Sequence, residues 1–372
     1  MRIAYVSLNW PRTLTSGVGK KINQQISFWE NAGHTVHIFM HMHAYEPREE
    51  LLAGSVYPFT KKKGFTGKIL TEINRMKATR TMLSGIQAYQ PDIIYLRNGM
   101  YSYPLHHLAR IAPVVSEINT NDIQQHRRLG IVLSTYNLLT RSIILSRSKG
   151  LVTVSHELAS IPAYAKYRLP TCVIANGFDV DSVPVLPSPN NTVPRLVFIG
   201  SPDCPWHGVD KLVPFAVSHP GLIVDIIGYD QIDGITSLPD NLNLHGYLKR
   251  EAYQAILGQA DAAIGSLGLH RIGIHEASPL KTRECLSYGI PMILPYHDTD
   301  LADLDCDFLL HLPNQEDNLL KYGDEVERFL FRVRGKRADR QRIQPRIDYI
   351  QKEQERLEFL QEILNKTDAT QE

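Results

Sequence analysis

The sequence predicts an α/β protein made of two Rossmann-like domains, each built on a parallel sheet. The chain has 372 residues, which is too long for one ordinary core and right for two. Near the start, a buried-strand pattern, a glycine-containing loop, a helix pattern and a second strand follow one another. The same order of elements begins again at residue 195, so the design is repeated.

The first half begins with a strand at residues 2–8 and a helix at 17–32, opened by Gly17-Val18-Gly19. Ile22, Ile26 and Trp29 share one helix face, and Gly33 stands at the stop position. The next strand is predicted at 35–40. Later strands are predicted at 93–96, 114–117, 151–154 and 172–175.

The second half begins with a strand at 195–200, the loop "SPDCPWHG" and a helix at 209–217. Strands at 222–227, 242–244 and 262–267 and a helix at 250–257 follow. Four prolines between the halves predict a linker. The expected domains are residues 1–178 and 195–345, with the linker at 179–194 and a charged C-terminal helix and tail at 346–372.

Composition excludes several classes of protein. Forty basic residues face 39 acidic ones, so bulk charge does not indicate a nucleic-acid binder. The four cysteines are scattered, which favours a reducing cytoplasm over a disulfide framework or a zinc ribbon. The first residues lack the pattern of a signal peptide, and no apolar stretch approaches the roughly 20 residues of a membrane span.

The stretch "HEASPLKTRECLSYGIPMIL", residues 275–294, predicts a helix that begins beyond a strand's carboxyl end. Ser278 is a good N-cap, Pro279 a good first helical residue, and Gly289 closes the helix. A helix N-terminus in such a place suits a phosphate, and Lys281 and Arg283 in the first turns add positive charge.

Two carboxylates, Glu276 and Glu284, stand on either side of this helix start. They are placed to flank a bound diphosphate, one facing the group on the far phosphate and the other facing a ribose. The residues alone leave an alternative open, in which this is a surface helix whose glutamates pair with lysine and arginine.

The stretch resembles the E-x(7)-E motif of glycosyltransferase family four, a group of retaining enzymes that use nucleotide sugars. "SGVGKKINQQISFWENAGHTVHIF", "PDIIYLRN", "VVSEINT", "LVTVSHELAS", "CVIANGFD" and "LVFIGSPDCPWHGVDKL" are similar to other family segments, in the family's order. The resemblance covers most of residues 1–300. It implies the GT-B fold: two Rossmann-like domains whose parallel sheets face a central cleft, with a C-terminal helix that crosses back to the first domain.

The resemblance also implies roles for single residues. Glu276 would contact the donor sugar, and Glu284 would hold the ribose. The remaining donor-side expectations are that the diphosphate lies against Ser278, Pro279 and Leu280, that the first loop closes over the donor through Gly17 and Gly19, and that the base lies near Gly246 and Tyr247.

One departure from the family concerns the two cations that neutralise the diphosphate. Ser201 and His207 occupy their places here. Lys281, Arg283 or Arg271 substitutes for them, or leaving-group stabilisation is weaker, or His207 is protonated beside phosphate. The alternative for His207 is a loop histidine that packs on Trp206.

The family's usual proposed mechanism is attack on the same face from which the leaving phosphate departs, with no protein nucleophile. Protein groups then act by positioning and electrostatics. In "SEINTND", after a predicted strand, Asn119 is expected to bond the sugar and Glu117 or Asp122 to orient the acceptor. A capping Asp122 and a buried, paired Glu117 are the alternative.

Two further motifs remain. "DLDCD" at 303–307 resembles a metal-binding Asp-x-Asp but is expected to be a solvated loop, and no metal or cofactor is expected; His41 follows a strand end and keeps a cleft role open. "TKKKGFTGK" sets Phe65 among cations. It indicates an anionic membrane surface, a lipid-linked acceptor or a solvated loop, through Lys61, Lys62, Lys63 and Lys68.

The function expected is sugar transfer from a nucleotide-diphosphate donor to a glycan or lipid-linked acceptor, in the cytoplasm or on the inner face of the membrane. Two alternatives remain: an epimerase or synthase of the same fold, and a catalytically weak scaffold that binds nucleotide sugar. Glu276 and Glu284 argue against the epimerase. The sequence names neither the sugar, the base, the acceptor nor the oligomeric state.

Overall fold

The computed structural model describes residues 1–9, 17–43, 54–127, 129–202 and 204–369, and for Phe65 and Asp368 the backbone alone. The chain divides into two compact units. Unit 1 comprises Met1–Ala175 together with Tyr349–Glu372, and unit 2 comprises Asn176–Asp348. The C-terminal helix therefore belongs with the first half of the chain, although the second half separates them in sequence.

Unit 1 holds a seven-stranded parallel sheet in the order β3-β2-β1-β4-β5-β6-β7. Four of its strands, β1, β4, β5 and β6, are almost wholly buried, as expected for a parallel sheet covered on both faces. The strands are β1 (Arg2–Ser7), β2 (Thr35–His43), β3 (Gly54–Phe59), β4 (Ile93–Arg97), β5 (Val114–Ile118), β6 (Gly150–Thr153) and β7 (Thr171–Val173).

Helices cover both faces of this sheet. On one face, α1 buries Ile22, Ile26 and Trp29 against β1 and β4, and the C-terminal helix α12 joins the same core. On the other face, α2 and α4 pack with the strands and a short 3-10 helix, Leu105–Arg110. The helices are α1 (Gly17–Asn31), α2 (Gly64–Tyr89), α3 (Asp122–Arg127), α4 (Ile131–Leu145), α5 (His156–Ser160), α6 (Pro162–Ala165) and α12 (Tyr349–Asp368).

Unit 2 repeats the design with a six-stranded parallel sheet in the order β10-β9-β8-β11-β13-β15. A small parallel pair, β12 and β14, stands beside it. The strands are β8 (Arg195–Ile199), β9 (Ile223–Ile227), β10 (Leu242–Leu244), β11 (Ala262–Ile264), β12 (Glu276–Ala277), β13 (Met292–Leu294), β14 (His297–Asp298) and β15 (Leu309–His311).

Five helices belong to the described part of unit 2. Two clusters of buried apolar side chains, one on each face of the sheet, hold them to the strands. The helices are α7 (Leu212–Ser218), α8 (Arg250–Gln259), α9 (Leu280–Ser287), α10 (Asn318–Val333) and α11 (Arg340–Ile347). The predicted fold class, α/β with parallel sheets, is confirmed.

Two predicted details differ from the structure. The single helix predicted for 346–364 is two helices, α11 and α12, because Asp348 between them has an extended backbone with ψ 133°. Strand β3 was not predicted; it pairs with β2 at the sheet edge and carries a proline, Pro58. Proline weakens a strand pattern, and an edge strand tolerates it because one side of the strand lacks a partner.

One glycine keeps the carboxyl edge of the unit 2 sheet tightly packed. Gly228 follows β9 with φ +92°, and its N–H donates to the Gly246 carbonyl at 2.7 Å. A Cβ at this position would stand 2.2 Å from the Gly200 carbonyl oxygen, directly after β8. Only glycine fits both the left-handed conformation and this close approach.

We predict that Gly228→Ala destabilises the protein by about 2–4 kcal/mol, since backbone strain and a backbone clash act together. The matched control is Gly258→Ala, because a Cβ at Gly258 within α8 meets nothing within 4 Å. That control should keep or slightly raise stability, as alanine favours helix. Chemical denaturation of both variants checks this, and equal stabilities would contradict it.

Candidate functional site

The order of the strands in each sheet predicts where at its edge a ligand binds. In unit 2 the chain passes from β8 through β9 to β10, then returns to β11 on the other side of β8. The loops after β8 and β11 therefore leave in opposite directions and open a crevice at the carboxyl ends, where α/β proteins bind ligands. Gly200 and Ser201 follow β8 at this point.

The loop before α9 is held by Asn176, a residue that was missed from sequence. Asn176 donates its backbone N–H to Ser278 Oγ at 2.8 Å and its side-chain amide to the Ser278 carbonyl at 2.5 Å. Ser278 is thus not the N-cap that was predicted. Pro279 occupies that position without a side-chain cap, and Leu280 begins the helix. The first N–H groups of α9 therefore have no side-chain hydrogen-bond acceptor in the N-cap residue, Pro279.

Arg283 does not lie where a diphosphate contact requires. Its guanidinium is fully buried, pairs with Asp298 at 2.5 and 2.8 Å and with Asp300 at 2.7 Å, and also donates to the Asn176 carbonyl at 3.2 Å. The expectation that Arg283 binds the donor is therefore wrong, because its N–H groups are used to join α9 to β14. Burial alone would lower the pKa of Arg283, but the two carboxylates outweigh it and raise the pKa.

The two glutamates of the motif lie on either side of the loop between β12 and α9 and of the first turn of α9. Glu276 is buried and belongs to β12, whose partner strand β14 aligns it with His297. Glu284 is half-buried in α9 and bonds with the Tyr253 hydroxyl of α8. Burial raises the pKa of Tyr253, and the Glu284 carboxylate raises it further. The pairing of β12 with β14 fixes the backbone of Glu276, and the Tyr253 hydroxyl holds the carboxylate of Glu284. Both carboxylates therefore have restricted positions.

Lys281 reaches the switch point between β8 and β11. Its ammonium donates to the carbonyl of Ile199, the last residue of β8, at 3.2 Å. Burial lowers the pKa of Lys281, and its positive charge in turn helps to lower the pKa of His207. Among the three substitutes considered for the missing cation pair, Lys281 is the one that lies beside Ser201 and His207.

Arg271 lies in a different arrangement. Its guanidinium binds Asp210 with two bonds, at 2.8 and 2.7 Å, and also pairs with Glu316. Its hydrogen bonds to Glu316 and Asp210 raise the pKa of Arg271, so this cation is already neutralised on the protein. It is a poor candidate for the diphosphate.

His207 packs inside its loop. It is buried, its ring lies edge-on to Trp206, and its Nδ1 is 2.8 Å from the Tyr229 hydroxyl. That hydroxyl donates to the Ser201 carbonyl at 2.6 Å, and the Ser201 N–H donates to His207 Nδ1 at 3.4 Å. Burial, helped by Lys281, lowers the pKa of His207 to about 4. These contacts favour the packing role for His207 over a protonated phosphate contact.

Gly246 and Tyr247, expected near the base, follow β10 at the same edge of the sheet. Gly246 has φ +58°, and the Asp230 carboxylate occupies the space where a Cβ would stand. Tyr247 is 92% exposed. An exposed aromatic ring at this edge is a suitable stacking partner for a base.

Unit 1 has its own switch point, between β1 and β4, and a cavity of about 350 Å³ opens there. Ser7, Arg97 and Asn119 line it from three adjacent strand ends. Val18 lines it from the first turn of α1. Gly17, expected in the closing loop, is exposed at the start of α1, and Gly19 is buried one position past Val18. Residues 10–16, which complete that loop, lie outside the described residues.

Glu117 is buried beneath this cavity. Lys21 pairs with one of its oxygens at 2.9 Å and Arg97 with the other at 3.0 Å. Burial alone would raise the pKa of Glu117, but the two cations outweigh it and hold that pKa well below its usual range. The expectation that Glu117 orients the acceptor is therefore wrong, and its alternative, a buried and paired carboxylate, is what the structure contains.

Lys21 connects this ion pair to Asn119. Its ammonium also donates to Asn119 Oδ1 at 2.9 Å, and burial lowers the pKa of Lys21 to about 8. With its oxygen held in this way, Asn119 presents its amide hydrogens as donors in the cavity wall. Lys21 was missed from sequence because a lysine in an amphipathic helix ordinarily indicates a solvated face.

Asp122 is likewise enclosed. Arg141 binds it with two bonds of 2.8 Å, Tyr164 donates at 2.5 Å and Asn137 at 2.8 Å. Burial alone would raise the pKa of Asp122, and these donors outweigh it and lower the pKa. Asp122 is the first residue of α3 and holds that helix to α4. These contacts fit the alternative of a structural role, but Asp122 also lines the cavity, so its assignment to the acceptor stays a prediction.

The remaining expectations have simpler outcomes. His41 is buried beside Thr79, so a cleft role for it is wrong. Asp303 of "DLDCD" pairs with Arg346, and the described residues contain no group of three or more His, Cys, Asp or Glu that could hold a metal. No described helix has the length and apolar content to cross a bilayer. Exposed cations precede and begin α2 at Lys61, Lys62, Lys63 and Lys68; the side chain of Phe65 lies outside the described residues.

Comparisons with known proteins agree with this architecture. The sequence model of Glycosyltransferase Family 4 matches residues 15–182. No curated protein matches in a search by sequence. Among solved structures, a sucrose-phosphate synthase from Thermosynechococcus elongatus has a TM-score of 0.70 at 13% identity, covering 98% of this chain and 99% of its own.

Two other solved structures cover similar shares. Anabaena Alr3699/HepE, solved with UDP and glucose, has a TM-score of 0.62 at 16% identity and covers 97% of this chain and 99% of its own. The lipopolysaccharide outer core galactosyltransferase WaaB, in its apo form, has a TM-score of 0.63 at 13% identity, with 95% and 98% covered. At these identities the likeness shows the shared GT-B fold.

We predict that His207 makes stability depend on pH between 6.5, its ordinary pKa, and about 4, its folded pKa. The folded pKa is the lower one, so the native state binds fewer protons than the unfolded state, and stability is lost as pH falls through this window. The loss amounts to about 3 kcal/mol. Denaturation of wild type and His207→Gln at several pH values measures it. Parallel stability curves for the two proteins would contradict the prediction.

Proposed function

We propose that this chain, which has the GT-B fold and matches the Glycosyltransferase Family 4 model over residues 15–182, transfers a sugar from a nucleotide-diphosphate sugar to a hydroxyl acceptor. The configuration at the anomeric carbon is retained. The acceptor is a growing surface glycan, or a glycan linked to lipid. The solved complex of HepE with UDP and glucose supports a donor of this class, as do the names of the synthase and the galactosyltransferase.

The observation that carries the proposal is the pairing of an uncapped helix start with a cation at the switch point of unit 2. The first N–H groups of α9 follow Pro279, which offers no side-chain cap. Lys281, in the first turn, places its ammonium against the end of β8. N–H groups, a positive helix end and an ammonium together suit a diphosphate. Glu276 before the helix and Glu284 within it are assigned to the sugar and the ribose.

Retention is implied by the resemblance to the family, and the groups assigned to the site are ones that a retaining mechanism uses. The chemistry needs a leaving diphosphate, a charge that stabilises it, and an acceptor hydroxyl on the same face of the sugar. In this mechanism Lys281 and the α9 N–H groups stabilise the negative charge that develops on the leaving phosphate. The bond between the anomeric carbon and the phosphate oxygen breaks as the bond to the acceptor oxygen forms. The departing phosphate oxygen accepts the proton of the attacking hydroxyl, and no protein nucleophile takes part.

Unit 1 supplies the polar wall expected of a sugar-binding surface. Asn119, held by Lys21, offers amide donors in the cavity of about 350 Å³. His126, which lines the same cavity, was missed from sequence; it is nearly buried, and its Nδ1 has no hydrogen-bond partner among the described residues. We assign these two side chains to hydroxyl recognition and Glu117 and Asp122 to the ion pairs that hold them in place.

A second candidate is a catalytically weak protein that binds nucleotide sugar within a glycan-assembly complex. Ser201 and the neutral His207 favour it, because one cation at the switch point neutralises less of a diphosphate than two. Incubation of the pure protein with a panel of nucleotide sugars, with and without glycan acceptors, separates the two. Release of nucleoside diphosphate with an anomerically retained product supports the enzyme, and tight donor binding without any turnover supports the scaffold.

We predict that Lys281→Met weakens binding of a nucleoside diphosphate by about 10- to 100-fold, the usual value of one charge-assisted hydrogen bond. Binding of the bare nucleoside should change little, since it lacks the phosphates. Arg271→Met is the matched control: it removes a cation that Asp210 and Glu316 already neutralise, and should leave both affinities near wild type. Calorimetric titration checks this. Equal loss for diphosphate and nucleoside would show that Lys281 supports the fold instead.

We predict that the two glutamates separate into binding and turnover. Glu284→Ala should weaken nucleotide binding, because the ribose loses a carboxylate acceptor for its paired hydroxyls. Glu276→Ala should mainly lower turnover, because the transferred sugar loses its positioning contact while the nucleotide keeps its own. Titration with nucleoside diphosphate and steady-state kinetics measure the two effects. Wild-type nucleotide affinity in Glu284→Ala would refute the ribose assignment.

A further inference from the structure

Unit 1 exposes an apolar stripe along α4. Ile131, Val132, Leu138 and Leu139 stand at positions i, i+1, i+7 and i+8, and each is at least half exposed. That spacing places all four on one side of the helix. Thr135 is the fifth exposed residue of α4, so this helix, all of whose residues are described, has no charged side chain on its exposed side. A surface helix ordinarily carries charge there.

A second apolar strip lies close to the first. In α2, Ile69, Leu70 and Ile73 are between 42% and 53% exposed. The two helices meet at one loop: Arg75 of α2 donates to the Met100 carbonyl at 2.8 Å, and Tyr136 of α4 donates to the next carbonyl, Tyr101, at 3.1 Å. In α2, the exposed aliphatic residues lie within about two turns before Arg75. In α4, Ile131 and Val132 lie within about two turns before Tyr136. The strips therefore lie on two helices held by the same loop, and we call the two strips together the α2–α4 face.

The charges around this face are almost all positive. Lys61, Lys62 and Lys63 lie at the start of α2, where the Lys62 N–H bonds to Thr71, and Lys77 and Arg80 continue its exposed side. Between residues 54 and 91 the one acidic residue is Glu72, which pairs with Arg75. From residue 123 to residue 156 the sequence has no acidic residue.

We propose that the α2–α4 face docks on an anionic phospholipid bilayer, with the aliphatic side chains of α4 and α2 entering the headgroup and acyl boundary. Aliphatic side chains bordered by lysine and arginine are the pattern of helices that lie in this interface. The lysines attract the surface through its negative potential, and the aliphatic residues then hold the protein there by a force that salt does not screen.

Docking of this kind also narrows the acceptor. The cavity of unit 1 is lined by Gln125 and His126 of α3, and α3 packs directly against α4. Leu129, between these two helices, is 48% exposed, so the apolar face begins within a few residues of the cavity. Resting on the proposed function, this arrangement assigns the acceptor to glycans linked to a membrane lipid, with the glycan in the cavity and the lipid retained in the bilayer.

The test uses the full chain and vesicles of phosphatidylcholine with or without phosphatidylglycerol. The double variant Ile131→Ser/Leu139→Ser should lower co-sedimentation affinity on the order of tenfold or more, because two aliphatic side chains no longer enter the interface. The matched control is Leu320→Ser/Val217→Ser in unit 2, at side chains that are 85% and 63% exposed, against 85% and 74% for the first pair. The control should bind vesicles as wild type does.

A salt series separates charge from apolar insertion. Replacing Lys61, Lys62 and Lys63 by serine should remove the salt-dependent part of binding, whereas Ile131→Ser/Leu139→Ser should remove the part that persists at high salt. Unchanged vesicle binding in the α4 variant would overturn the proposal. So would a wild-type dimer in sedimentation velocity that becomes a monomer in the α4 variant without any vesicle binding, since the face would then join two copies of the chain.

Nucleotide binding is measured separately, without vesicles, by titration of the same proteins. A protein that sediments with anionic vesicles but binds no nucleotide sugar would refute the proposed function and leave the docking face intact. A protein that binds nucleotide sugar normally but does not bind vesicles would refute the docking face and leave the proposed function intact. The α4 variant should keep wild-type nucleotide affinity, because neither of its positions belongs to unit 2.

Discussion

Parallel strands impose the constraint on which the site in each unit depends. Every strand of the two large sheets runs in the same direction as its neighbours, so every carboxyl end lies at one edge. In both units the chain starts near the middle, fills one side and then returns to fill the other. The connections from the two central strands diverge at that point and leave a crevice. Among the described residues, Asn9 after β1 and Gly200 after β8 therefore lie at this edge.

Buried charges then fix the loops around each crevice. Arg283 joins α9 to β14 and to the Asn176 backbone, which places Lys281 and Glu284 on a helix that cannot turn independently. Glu117 does the same in unit 1 by fixing Lys21, which orients Asn119. Removing one partner of such a pair would leave an unpaired buried charge, which is costly, so each pair acts as a rigid joint. Residues of this kind support the site from beneath it.

Most of the fold could be predicted from the sequence because hydrophobic periodicity reports burial directly. The strands predicted at 93–96 and 195–200 and the helix predicted at 17–32 are found at 93–97, 195–199 and 17–31. Charged residues were harder to place, since the pattern "KTRE" is the same whether Arg283 points to a phosphate or to Asp298 and Asp300. The partners Asp298 and Asp300 are 15 and 17 positions away and are brought near by β14, which no local pattern predicts.

The helix α4 shows a second limit of sequence patterns. Four aliphatic residues of α4 would ordinarily indicate a core-facing stripe, because periodicity gives a face and not what covers it. The buried side of α4 instead includes Asn137 and Arg141, which bond Asp122, and the aliphatic side faces outward. A polar network beneath the helix and an apolar face above it reverse the usual arrangement. Only the tertiary contacts show whether an apolar helix face is buried or exposed.

The central claim is that the edge of unit 2 at β8 and α9 is a diphosphate site. The most direct measurement is calorimetric titration of the wild-type protein with a panel of nucleoside diphosphates and the corresponding nucleosides at moderate salt. The account predicts that at least one diphosphate binds about ten or more times tighter than its nucleoside, because N–H groups and an ammonium act on the phosphates alone. Equal affinity for every diphosphate and its nucleoside, or no binding of any of them, would contradict it.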